Sequence, residues 1–156
     1  MKNGKLQIGI IGCGGIANGK HLPALHKLQN LCDLAAFCDI IPERAEKARA
    51  EYGSPDAKIY TDYRELLDNG DIDVVHVLTP NVLHSPITVA AFQAGKHVMC
   101  EKPMASTSAD AQAMLDAWKK SGKKFTIGYQ NRFRPEVQAL YKACRKGELG
   151  EIYYAK

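Results

Sequence analysis

The stretch LQIGIIGCGGIA, Leu6 to Ala17, joins an apolar run to a cluster of small residues. Leu6 to Ile11 is rich in β-branched residues and suits a parallel strand buried on both faces. Gly12, Gly14 and Ala17 supply the tight turn that must follow it. Gly12 permits a sharp exit from the strand, Gly14 has no Cβ to hold a pyrophosphate off the backbone, and Ala17 lets the next helix lie close to the sheet. Gly15 and Ile16 complete the loop, where backbone N–H groups at a helix start face an anion. The pattern Gly-X-Gly-X-X-Ala alone is weak, because glycine-rich turns follow many strands for purely structural reasons.

Asp39 strengthens it. It ends a second apolar run, Asp33 to Cys38, and lies 22 residues beyond Ala17 (39 − 17), close to the roughly 20 expected of a ribose-binding carboxylate. A carboxylate there accepts hydrogen bonds from a ribose 2′-OH and repels a 2′-phosphate, so the expected cofactor is NAD, with NADP less favoured. Arg44 is near enough in sequence to offset part of that repulsion. The plain alternative is that Asp39 only starts the loop before Pro42.

Beyond this loop the chain alternates short apolar runs with longer amphipathic ones, the pattern of an α/β fold with a doubly wound parallel sheet. Further strands are expected at Lys58 to Tyr60, Val74 to Leu78, His97 to Cys100 and Phe125 to Tyr129. Helices are expected at Pro42 to Tyr52, Tyr63 to Asn69 with Asp62 as cap, Ile87 to Ala94 and Ser108 to Lys120. Pro23 should kink or divide the first helix, Ile16 to Leu28. Right-handed crossovers favour the strand order 3-2-1-4-5-6.

With 156 residues, 46% of them hydrophobic, there is room for one such domain. A net charge of +4 is modest and its lysines and arginines are scattered, which argues against nucleic-acid or membrane partners. The N-terminus carries no signal-peptide pattern and no apolar run is long enough to span a bilayer, so a cytoplasmic location is expected. Five cysteines without Cys-X-X-Cys spacing read as reduced core residues, and nothing in the sequence offers a metal site.

A second cluster follows strands four and five. TPNVLH, Thr79 to His84, and CEKPMA, Cys100 to Ala105, both emerge at the carboxyl edge of the sheet, where ligands of such sheets bind. Thr79, Asn81 and His84 carry groups suited to a ribose or carboxamide. Glu101 and Lys102 bring a charge pair to the nicotinamide end, where a lysine ammonium can donate to a substrate oxygen, stabilise developing alkoxide charge or relay a proton. Read alone, Thr79, Pro80 and Asn81 also fit turn and cap chemistry, and Glu101 and Lys102 a solvated pair.

Taken together, GIIGCGGIA, Asp39, TPNVLH, HVMCEKPMA, GYQNRFRPEV and GELGEI resemble the Gfo/Idh/MocA family of oxidoreductases over essentially the whole chain, most specifically in the triplet Glu101, Lys102 and Pro103. The resemblance implies a Rossmann domain and hydride transfer between NAD or NADP and a hydroxyl carbon of a sugar, inositol or related polyol. It assigns Lys102 to catalysis or substrate orientation, Glu101 to a cofactor contact, and Asn81 and His84 to the nicotinamide ribose neighbourhood. It also implies a cis Lys102–Pro103 peptide and brings Arg132 toward the nicotinamide or substrate, although Arg132 fits a surface or helix-start charge equally well.

Family members continue into a second α+β domain that carries substrate specificity, a homo-oligomer interface and a histidine–aspartate pair for proton transfer. This chain stops first. The expected division is therefore a dinucleotide-binding domain over 1–148 and the first strand of a truncated domain over 149–156, with Ile152, Tyr153 and Tyr154 lacking the surface they would pack against. His21, His26, His76 and His97 read as loop or core histidines. Two other functions fit the same motifs: a non-catalytic nucleotide-binding or regulatory module, and a NAD-dependent glycoside hydrolase that uses transient oxidation.

Overall fold

The computed structural model describes residues 1–2 and 4–154. Six parallel strands form one sheet: β1 (Leu6–Ile11), β2 (Cys32–Cys38), β3 (Lys58–Tyr60), β4 (Val74–Val77), β5 (His97–Cys100) and β6 (Phe125–Ile127). Their order is β3-β2-β1-β4-β5-β6, the expected doubly wound arrangement. Alternation along β1 explains the apolar run: its two faces feed two separate cores. Ile8 and Ile10 pack with Leu22, Leu34 and Phe37, whereas Ile11 packs with Leu66, Val75 and Ile87.

The helices are α1 (Leu22–His26), α2 (Pro42–Tyr52), α3 (Tyr63–Asp68), α4 (His84–Gln93), α5 (Ser108–Ser121) and α6 (Pro135–Arg145). Asp62 caps α3 as expected, accepting from the Arg64 N–H at 2.9 Å. Thr107 caps α5 in the same way at 3.1 Å. α4 begins three residues earlier than expected, at His84, because Pro86 falls in its first turn, where a missing N–H costs no internal bond.

Pro23 divides the first helical segment as expected, and the structure shows how. Ala17–His21 is a π-helical turn in which the Leu22 N–H donates to the Ala17 carbonyl, and Pro23 then sits in the first turn of α1. The wider turn absorbs the irregularity that a proline imposes. It also rotates His21 toward the carboxyl edge of the sheet.

Two further features depart from the sequence reading. α6 was not expected as a helix, and its apolar residues Val137, Leu140 and Tyr141 are exposed. The segment 149–156, expected as the first strand of a further domain, pairs with no strand over its described residues 149–154, and Tyr153 is 96% exposed. A strand exists only through a neighbour's backbone donors and acceptors, and none lies alongside. The last two residues of that expectation, 155–156, lie outside the described residues.

Candidate functional site

The glycine loop is held from both sides. The Gly12 N–H donates to the Cys38 carbonyl at 2.8 Å, and Gly12 has φ +95°, a conformation that favours glycine. The Asn18 amide donates to the Cys13 and Gly14 carbonyls at 2.7 and 2.8 Å. With those carbonyls turned inward, the opposite face of the loop is free to present N–H groups. A Cβ built on Gly14 or Gly15 would meet no protein atom within 4 Å. Ala17 is fully buried against the sheet, in keeping with its expected packing role.

Asp39 does two things at once. Its Oδ2 accepts the Cys13 N–H at 2.8 Å and its Oδ1 accepts the Ile41 N–H at 3.0 Å, so it braces both the glycine loop and the turn before Pro42. Each carboxylate oxygen keeps a further lone pair for a ligand. The same residue lines a cleft of about 630 Å³ with Gly12, Gly14, Gly15, Ile16, Thr79 and Pro80.

That cleft lies over the carboxyl ends of β1 and β4, where the strand order reverses. Its further wall, Thr61 to Arg64 and Leu83, was not foreseen; the only signal was that β3 also ends at this edge. Arg44 reaches both this cleft and a recess of about 300 Å³ shared with Lys47 and Asn18. The Thr79 hydroxyl is buried without a hydrogen-bond partner in the described structure, an orphan that a bound polar ligand would satisfy. Donors, carboxylate and orphan hydroxyl together fit a dinucleotide.

The lysine turn is braced by its neighbours. Lys102–Pro103 is cis, as the family resemblance implied, and the Lys102 side chain is exposed. Glu101 is buried: Oε2 accepts the Lys102 N–H at 2.9 Å, and Oε1 lies 2.8 Å from His21 Nε2.

His84 differs from its expected role. It is buried, with Nδ1 2.7 Å from the Pro103 carbonyl and Nε2 2.9 Å from the Thr79 carbonyl, so both ring nitrogens face protein. Asn81 is exposed at the start of the 3-10 turn Asn81–Leu83. Arg132 is exposed in the turn Gln130–Phe133, and neither residue lines the cleft.

Burial sets the remaining protonation states. It pushes the His76 imidazole down to about 4, aided by the neighbouring His21, which it meets edge-on at 5.6 Å. Burial pushes the thiols of Cys13, Cys38 and Cys100 up to about 12, with Asp39 adding to the first two. All five cysteines are free. No helix among the described residues is long and apolar enough to cross a membrane.

Known proteins share this arrangement. Residues 6–129 match the family model described as "Oxidoreductase family, NAD-binding Rossmann fold". An inositol 2-dehydrogenase of Salmonella typhimurium is 37% identical over 147 residues, covering 94% of this chain and 43% of that protein. A D-glucoside 3-dehydrogenase of Escherichia coli is 36% identical over 153 residues, 98% and 43% of the two chains. The structure of the WlbA dehydrogenase from Bordetella pertussis, in complex with NADH and UDP-GlcNAcA, superposes with a TM-score of 0.87 at 32% identity, covering 96% of this chain and 44% of that one. The chain thus spans less than half the length of these relatives. The chain belongs to the Gfo/Idh/MocA oxidoreductase family through its NAD-binding Rossmann fold.

Proposed function

We propose that this chain is the cofactor-binding part of a NAD-dependent dehydrogenase that moves a hydride between the nicotinamide and a hydroxyl carbon of a sugar, inositol or related polyol. The observation that carries the reading is the cleft that joins the glycine loop to Asp39 at one sheet edge, with the Lys102–Pro103 turn on the same edge. Gly12, Gly14, Gly15 and Ile16 hold the pyrophosphate, Asp39 the adenosine ribose, and Thr79 and Pro80 the central part of the cofactor. Bound there, NAD supplies the hydride acceptor. Asn81, Glu101 and Arg132 belong to the nicotinamide end, and His84 supports it through Thr79.

Lys102 is the catalytic residue of this proposal. Its exposed ammonium donates a hydrogen bond to the oxygen of the carbon being oxidised and stabilises the alkoxide charge as the proton leaves. The whole protein acts in the cytoplasm as a homo-oligomer.

Calorimetric titration with NADH and with NADPH, repeated on Asp39→Ala, tests the reading. Tighter NADH binding that loses its preference in the variant supports it, and no binding of either nucleotide overturns it.

A further inference from the structure

Two hydrogen bonds connect the helix that starts at the glycine loop with the backbone of Lys102. His21 ends the π-helical turn that begins at Ala17, five residues from the loop's last turn residue by inclusive count. Its Nε2 meets Glu101 Oε1 at 2.8 Å, and the two side chains are only 12% and 9% exposed. Glu101 Oε2 in turn accepts the Lys102 N–H at 2.9 Å. A third wall fixes the carboxylate: a Cβ on Gly128 would come within 3.0 Å of Oε1, so the backbone just after β6 is pressed against it. Behind His21 stands His76, whose ring burial keeps uncharged near neutral pH, and on the other side the Glu101 carboxyl is the polar partner that orients the His21 imidazole.

A glutamate beside a lysine ordinarily samples several rotamers. Here one oxygen is claimed by a helix and the other by the lysine's own amide, so a displacement of that helix moves the acceptor of the Lys102 N–H. The helix is the one whose N-terminus receives the pyrophosphate in the proposed function. Buried charged hydrogen bonds are short and directional, which lets them transmit such a displacement.

We propose that His21 is a positioning residue that couples occupancy of the glycine loop to the backbone of Lys102 through Glu101. The inference rests on the cofactor reading given above. It adds a role for a histidine that the sequence alone presents as a loop or core residue.

The test follows backbone amides of the ¹⁵N-labelled 156-residue chain by NMR during titration with ADP. ADP reaches the glycine loop and has no nicotinamide to touch Lys102. In the unsubstituted chain the amides of Gly14, Gly15 and Lys102 should all shift along one binding curve. His21→Leu should leave Gly14 and Gly15 responsive and reduce the Lys102 shift at least fivefold. His21→Gln, whose Nε2 can donate as the imidazole does, should restore most of it. A Lys102 response equal in His21→Leu and the unsubstituted chain overturns the coupling, as does an unsubstituted chain in which Gly14 responds and Lys102 does not. Unresponsive Gly14 and Gly15 amides would instead remove the cofactor reading and the coupling with it.

Discussion

His84 Nδ1 lies 2.7 Å from the carbonyl oxygen of Pro103, tying the helix after β4 to the turn that carries Lys102. The other ring nitrogen reaches the Thr79 carbonyl, so one imidazole clasps the Thr79 loop, which lines the cleft, and the Lys102–Pro103 turn. A neutral ring donates to one of these carbonyls and a protonated ring to both.

His84→Phe keeps most of the volume and removes both contacts. We expect a loss of about 1–3 kcal/mol in urea denaturation, together with roughly tenfold weaker NADH binding as the Thr79 loop loosens. Unchanged NADH affinity in a folded variant would show that the clasp is dispensable to the site.

Gly12 and Gly14 should separate folding from binding. A Cβ on Gly12 would lie 2.8 Å from the Leu78 carbonyl carbon and oxygen, on a backbone at φ +95°. Gly12→Ala should therefore cost more than about 2 kcal/mol or fail to fold. Gly14→Ala meets no protein atom and should melt within about 2 °C of the parent, yet bind NADH at least about tenfold more weakly. Thermal melts and calorimetry on both variants decide this, and an undiminished affinity in Gly14→Ala would contradict the loop's assigned role.

Asp39→Ala removes the acceptor for both the Cys13 and Ile41 N–H groups. The cost in stability should be about 1–3 kcal/mol, with the NADH-over-NADPH preference abolished. Asp39→Asn retains one acceptor oxygen and should recover part of the stability without the charge-based preference. A preference that survives both substitutions would place discrimination elsewhere, with Arg44 first in line.

His76 should make the fold acid-sensitive. Burial holds its imidazole down to about 4, below the ordinary value near 6.5. The unfolded chain therefore takes up a proton first as pH falls, so the contribution is full above about 6.5, declines between 6.5 and 4, and is spent below. Urea midpoints from pH 7 to pH 4 should drop by an amount equivalent to roughly 1–3 kcal/mol, and His76→Gln should flatten that part of the curve. An identical slope in the variant would assign the acid sensitivity to other groups.

The cysteines should differ sharply in reactivity. Cys13, Cys38 and Cys100 are buried, with thiols pushed up to about 12, whereas Cys144 is partly exposed on α6. Iodoacetamide at pH 8 should label Cys144 first and reach those three only after unfolding. Mass spectrometry of the native, labelled chain checks the order, and early modification of Cys13 would mean that the glycine loop opens.

Much of this molecule was legible from local pattern. The strand order follows from alternating runs and right-handed crossovers, and the cofactor loop from three small residues at fixed spacing with Asp39 beyond them. Asp62 announced its helix because a cap acts within three residues of itself, whereas the cap at Thr107 was seen only in the structure. The expected strand over 149–156 finds no partner among the described residues, as a strand pairs only where a second segment lies alongside it.

The sequence by itself determined the sheet, its order and the loop that faces a dinucleotide, because each depends on period, turn geometry or a cap within a few residues. Tertiary structure alone decided that His21 meets Glu101 across 80 positions, that His84 grips Thr79 and Pro103, and that Asp39, expected at the ribose, also braces the glycine loop. Apart from His84 to Thr79, those contacts join residues far apart in the chain that gather at the carboxyl edge of the sheet, and only the folded sheet brings them together.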